Sequence, residues 1–198
     1  MSASDPVVIV PYREEWPREF RALATEMRRA LPADVTLRFD HIGSTAVPGL
    51  AAKDTLDVQI TVPGFGPDVL RALECLAPLG FTLADGIQAD HVPPGWEGAA
   101  EEWEKRYLRR RGPERAVNTH VRVAGRANWR YALLFRDYLR AHPDAAAGYA
   151  ELKRRLSAYT GSDRDAYVEI KDPVCDILMS AAEAWAARVD WQVGPPDA

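Results

Sequence analysis

Cysteine is scarce. Cys75 and Cys175 are the only two in 198 residues, and neither sits in a Cys/His spacing that would hold zinc. A disulfide framework is therefore not expected, and both thiols should be free, buried and reduced. Basic residues are in no excess either. The chain has 25 Lys and Arg against 29 Asp and Glu, a formal charge of −4, which speaks against a dedicated binder of long nucleic acid. No apolar run approaches the ~20 residues needed to cross a bilayer. The opening Met1-Ser2-Ala3-Ser4-Asp5-Pro6 lacks the basic and apolar stretches of a leader. A cytoplasmic protein without a membrane partner is expected. What is present is a globular composition, with 47% hydrophobic and 27% charged residues. At this length roughly 70% of the unfolded surface becomes buried, so a core needs no metal or disulfide staple.

The periodicity alternates between strand and helix. Val7-Val8-Ile9-Val10 reads as a short edge strand stopped by Pro11. From Trp16 to Leu31, the residues Phe20, Leu23, Ala24, Met27 and Leu31 form one helical stripe that Pro32 ends. Val35 to Ile42 reads as a strand. Gly43 to Leu50 carries two glycines, two hydroxyls and a proline, and reads as a loop with room for one helical turn. Thr55 to Val62 alternates cleanly, with Leu56, Val58, Ile60 and Val62 on one face and Thr55, Asp57, Gln59 and Thr61 on the other. Asp68 is placed to cap a helix over Val69 to Pro78, with Leu70, Leu73, Leu76 and Ala77 inward. Gly80 closes it before a strand at Phe81 to Leu83.

Ala84 to Ala100 is rich in small and turn-forming residues and reads as a long loop, a feature often tied to function. Trp103–Arg109 and Asn118–Val123 read as the arms of a hairpin. The rest is helical: Trp129 to Ala141, a second helix capped by Asp144 and running to Tyr159, and a third from Asp165 to Ala187 interrupted at Pro173. The division expected is an α/β region over 1–125, a helical region over 126–190 packed on it, and a flexible tail over 191–198.

Gly43-Ser44 ahead of the Asp57 strand is the most informative segment. A glycine lets backbone approach a ligand, and its N–H groups with the serine hydroxyl can hold phosphate oxygens. A carboxylate on the facing strand can hold Mg²⁺, a hard cation that takes oxygen ligands together with substrate phosphates. Lys105, Tyr107 and Arg109 share one strand face, suited either to an anionic substrate or to a solvated edge that blocks pairing.

Long strings here resemble the GrpB family. They are His41-Ile42-Gly43-Ser44-Thr45-Ala46-Val47-Pro48-Gly49-Leu50-Ala51-Ala52-Lys53 running on to Leu56-Asp57-Val58, and Leu134-Phe135-Arg136-Asp137-Tyr138-Leu139-Arg140-Ala141-His142-Pro143 followed by Tyr149 and Leu152-Lys153. Asp90-His91-Val92-Pro93-Pro94-Gly95-Trp96, Lys105-Arg106-Tyr107 and Asn118-Thr119-His120-Val121-Arg122 resemble one branch of it, the GrpB-like domain fused to dephospho-CoA kinase in actinobacteria. The resemblance covers nearly the whole chain.

It implies an α/β (α+β) fold with a nucleotidyltransferase-like mixed sheet and a helical C-terminal region. In such folds two carboxylates at alternate strand positions bind metal. Asp57 matches the first, and Gln59 stands at the second, where a neutral amide is a poor metal ligand. Asp90, in the long loop, is the candidate to complete a Mg²⁺ site with Asp57. The remaining expectations are phosphate or substrate contacts from Gly43, Ser44, Lys53, Gln59, Lys105, Arg106 and Arg122, the two arginines as a bidentate clamp, and proton transfer at His41 or His120. Arg136-Asp137 and Lys153 are expected in a structural ion-pair network. The function implied is nucleotidyl transfer from Mg-ATP to a small anionic acceptor. The alternatives are a non-catalytic module for a nucleotide or coenzyme A-like metabolite, or another small-molecule reaction on the same scaffold.

Overall fold

The computed structural model describes residues 6–32, 35 and 37–198. The chain runs α1 (Trp16–Ala30), β1 (Arg38–Ile42), β2 (Thr55–Val62), α2 (Pro67–Glu74), β3 (Phe81–Leu83), β4 (Arg106–Arg110), β5 (Ala116–Val123), α3 (Ala127–Ala141), α4 (Pro143–Thr160) and α5 (Arg164–Val189). The five strands form one mixed sheet in the order β1-β2-β5-β4-β3. Only β2 and β5 run parallel; the other three pairings are antiparallel. The fold is thus the expected mixed sheet with a helical C-terminal region.

The alternation of β2 decides the layers. Leu56, Val58, Ile60 and Val62 join Val117 and Val121 of β5 under α1 and α2, where Trp16, Phe20, Met27, Leu73 and Leu76 complete the main core. The other face carries Asp57 and Gln59, and the parallel register sets them opposite Asn118 and His120. Helices α3 to α5 make a second core with Val47, Leu50 and Ala51 of the loop after β1. That loop is therefore held between sheet and helices.

Several local expectations are corrected. Val7–Val10 contributes only a bridge from Val10 to Ala52. The first strand begins at Arg38; Thr36, within the predicted Val35 start, lies outside the described residues. α2 starts at Pro67 behind Gly66, a position proline favours because its missing N–H has no helical partner. Asp68 bonds Arg71 instead of capping, and Leu70 and Ala77 are exposed. Asp144 likewise lies in the first turn of α4, whose N-cap is His142. α5 continues through Pro173. The two cysteines are free but only half-buried.

The tail does not hang free. Asp197 accepts bonds from the His41 N–H at 3.0 Å and from buried Arg136 at 2.5 Å. Ala198 packs against the main core.

Candidate functional site

A cavity of about 290 Å³ opens between the polar face of β2 and β5 and helices α3 to α5. Its floor is the loop after β1. Gly43 has φ +68°, and a Cβ there would stand 2.5 Å from Asp57 Oδ2. Only glycine permits both that backbone conformation and that approach. A short 3-10 turn over Ser44–Ala46 follows.

Gly43, Ser44, Lys53, Asp57, Asp90, His120 and Arg122 all line this cavity, so seven of the predicted positions converge. Asn118 Nδ2 donates to Asp57 Oδ1 at 2.8 Å, and His120 Nε2 lies 3.8 Å from the same oxygen. Burial alone would raise the Asp57 carboxyl. The adjacent His120 imidazole, the Asn118 bond and nearby Lys53 outweigh it and hold the group below the usual range. His120 is pushed down to about 4 by burial and by Lys105 and Arg122, so it is neutral at pH 7. Arg122 donates to its Nδ1 at 3.3 Å, which places the ring proton on Nε2, facing Asp57.

Asp90 is reached through a short ladder. Its N–H donates to Trp103 O at 2.9 Å, and the Lys105 N–H donates to Gln88 O at 2.8 Å. The long loop is thereby pinned beside the segment leading into β4. The Asp90 carboxylate then accepts from Lys105 Nζ at 2.6 Å, from Arg122 Nε and Nη2 at 2.8 and 3.0 Å, and from Asn128 Nδ2 at 3.1 Å. Desolvation opposes this charge, but Arg122 and Lys105 hold the carboxyl far below its ordinary range. Gln59 is fully buried, and its Oε1 accepts from Arg122 Nη1 at 2.6 Å. The position matching a second carboxylate is therefore engaged by an arginine that also clamps Asp90.

Four of the predicted groups, His41, Gln59, Lys105 and Arg106, are not among the residues that line the cavity. His41 pairs with Val58 across β1 and β2, on the core face. There it stacks on Phe20 at 4.8 Å and bonds Thr45 at 2.9 Å. Arg106 bonds Glu104 and lies over the Phe65 ring. The Arg106–Arg122 clamp is thus replaced by an Arg122–Lys105 pair on Asp90.

Lys153 is the main residue that sequence reasoning misplaced. Expected in an ion-pair network, it makes none among the described residues. It points from α4 into the cavity floor, donating to Ser44 Oγ at 2.8 Å and Ala51 O at 2.5 Å. Burial brings its pKa down to about 7. A signal was present: Lys153 continues the stripe of Ala146, Tyr149, Ala150 and Leu156 on the buried side of α4, where a lysine needs a reason. Lys53, over the Tyr167 ring, is also lowered by burial, and it too has no carboxylate partner among the described residues. Lys171 also lines the cavity, paired with Asp172 at 2.6 Å. Trp103, Asn128, Tyr131 and Cys175 line the cavity with no earlier sequence signal, and Phe135, assigned to packing, lines it as well.

Among the described residues no group of three or more His, Cys, Asp or Glu side chains converges as a metal site. Asp57 can hold one Mg²⁺ together with water and ligand oxygens. The two-metal arrangement does not fit, because Gln59 is neutral and Asp90 is saturated by its cations. No helix among the described residues is long and apolar enough to cross a membrane.

Residues 6–181 match the family described as GrpB protein. The chain is 36% identical to a dephospho-CoA kinase of Mycolicibacterium paratuberculosis over 96% of its own length and 49% of that protein. It therefore spans about half the length of that relative. It is 35% identical to a UPF0157 protein of Pseudomonas aeruginosa, covering 91% of this chain and 69% of that one. A crystal structure of the conserved protein GrpB from Enterococcus faecalis superposes with a TM-score of 0.70 at 27% identity, covering 90% of this chain and 99% of the other.

Proposed function

The chain belongs to the GrpB family, and from that premise we propose that its cavity holds the phosphate of a small anionic ligand, foremost a nucleotide. The observation that carries this is the pair Lys53 and Lys153, two lysines lining one cavity beside Gly43 and Ser44, neither in direct contact with a carboxylate among the described residues. A buried ammonium group with no carboxylate in direct contact is costly, so it neutralises or takes up an anion. A phosphate supplies that anion, and the Ser44 hydroxyl adds a hydrogen bond.

Nucleotidyl transfer to a small acceptor is the second reading. Asp57 favours it, because Asn118 and His120 both engage Oδ1 and leave Oδ2 beside Gly43. One Mg²⁺ at Asp57 would neutralise charge on the transferring phosphorus centre. The name of the mycobacterial relative makes dephospho-CoA a further ligand to test.

Calorimetric titration of ATP, dephospho-CoA and inorganic triphosphate, with and without Mg²⁺, separates the readings. Binding indifferent to Mg²⁺ supports the anion site alone. Binding that requires Mg²⁺ and is lost in Asp57→Ala supports transfer. No binding of any phosphate compound overturns both.

Gln59→Asp tests the metal count. The new carboxylate is expected to pair with Arg122, leaving Mn²⁺ affinity within about twofold of the parent. A clear gain in Mn²⁺ affinity by calorimetry would show instead that position 59 accepts a second ion.

A further inference from the structure

The loop after β1 and helix α4 bring a hydroxyl and an amine together from positions 109 residues apart. Ser44 Oγ lies 2.8 Å from Lys153 Nζ, which lies 2.5 Å from Ala51 O. Both side chains belong to residues that line the cavity, and Ser44 is only half-buried. The neighbouring hydroxyl does not compete for this place. Thr45 is buried and bonded to His41 at 2.9 Å.

The bonding around Lys153 suits a neutral amine. A carbonyl oxygen only accepts, so Ala51 takes one N–H. A serine hydroxyl can donate, and the lone pair of the amine can then receive the Ser44 proton. Burial is the main reason that the Lys153 pKa falls to about 7. Lys171 on α5 and Lys53 beyond the loop push the same way, and Asp57 on β2 opposes them. Tyr149 on α4, with its ring centre 4.6 Å from Nζ, and Cys175 on α5 are the other titratable groups that face it. A base that is held by a third group and lies within hydrogen-bond reach of a hydroxyl is the arrangement that activates a serine.

We propose that Ser44 is a nucleophile and Lys153 its general base, acting on the phosphorus centre of a phosphate ester or anhydride held at Lys53. The substrate class rests on the anion site proposed above. In this step a bond forms between Ser44 Oγ and phosphorus. The bond from phosphorus to the leaving oxygen breaks, and its electron pair goes to that oxygen. The Ser44 proton moves to Lys153 Nζ.

Diisopropyl fluorophosphate carries no charge, so its reaction with the intact chain reads the dyad without the anion site. It is expected to phosphorylate Ser44 with release of fluoride, and peptide mass spectrometry locates the adduct. The rate is expected to rise about tenfold from pH 6 to pH 8, as an amine with a pKa of about 7 loses its proton. It is expected to drop about a hundredfold or more in Lys153→Met. No adduct on Ser44, or a rate that is flat between pH 6 and pH 8, would overturn the dyad and leave the anion site standing. A rate unchanged in Lys153→Met would also overturn it. If that variant fails to fold, the wild-type adduct and pH profile decide alone. An adduct on Ser44 with the expected profile, in a chain that binds no phosphate compound by calorimetry, would uphold the dyad and overturn the substrate class.

Discussion

Asp90→Ala is expected to lower folding stability by about 3–5 kcal/mol, the usual cost of removing one partner from a buried ion cluster. Lys105 and Arg122 are buried, and both take their carboxylate from Asp90. Without it two cations remain side by side, with Arg122 still bonded to Gln59. Asp90→Asn keeps the volume and some of the hydrogen bonding but loses the charge, so it should cost nearly as much. Adding Lys105→Met to Asp90→Asn should recover part of the loss, because one unpaired cation disappears with it. Urea unfolding of the three variants checks the ranking. An Asp90→Asn chain as stable as the parent would show that the cluster is held by shape and not by charge.

The same carboxylate fixes the acid limb. Asp90 is held far below the ordinary carboxylate range when folded, so the unfolded chain binds the more protons in acid. Its contribution is complete above the unfolded pKa of about 4 and is lost as pH falls through the folded value. The Asp90→Asn chain should lack that part of the acid destabilisation.

Much of this arrangement is legible in the sequence. Period-two alternation over Thr55–Val62 gives β2 with its bounds, and it puts Asp57 and Gln59 on the face away from the core. The Gly43 turn and the Asp57 face were readable because both follow from local chemistry, a glycine where φ is positive and a side chain every second residue. The partners of those side chains were not. Whether Asp90 meets a metal or a pair of cations depends on the ladder that pins residues 88–90 against residues 103–105, and no periodicity announces such a ladder. His41 was misplaced for the opposite reason. It sits in a matched string, but register with Val58 turns it into the core. Lys153 was misread because a lysine on a helix normally reaches solvent or a carboxylate.

Lys153→Met should raise the stability of the ligand-free chain by about 2–4 kcal/mol near pH 6 while reducing phosphate affinity by tenfold or more. Methionine matches the stem of lysine in length and needs no counter-ion. The ammonium group, by contrast, is buried against Tyr149 with only a hydroxyl and a carbonyl to receive its protons. The sign follows from its pKa of about 7 when folded against 10.5 for the ordinary group. Between these values the unfolded chain binds more protons than the folded one, so wild-type stability climbs as pH rises from about 7 toward 10. Below pH 7 both states are protonated and the burial penalty is complete. The gain in Lys153→Met should therefore be largest in mild acid and shrink as pH rises. Phosphate binding has the opposite dependence, since the anion needs the charged form and should bind more weakly above pH 7. Thermal unfolding at pH 6 and 9, paired with calorimetric phosphate titration at both, reads the two trends together. A Lys153→Met chain that is less stable at pH 6 would mean that the bonds to Ser44 and Ala51 hold the loop, and that Lys153 serves the fold before any ligand.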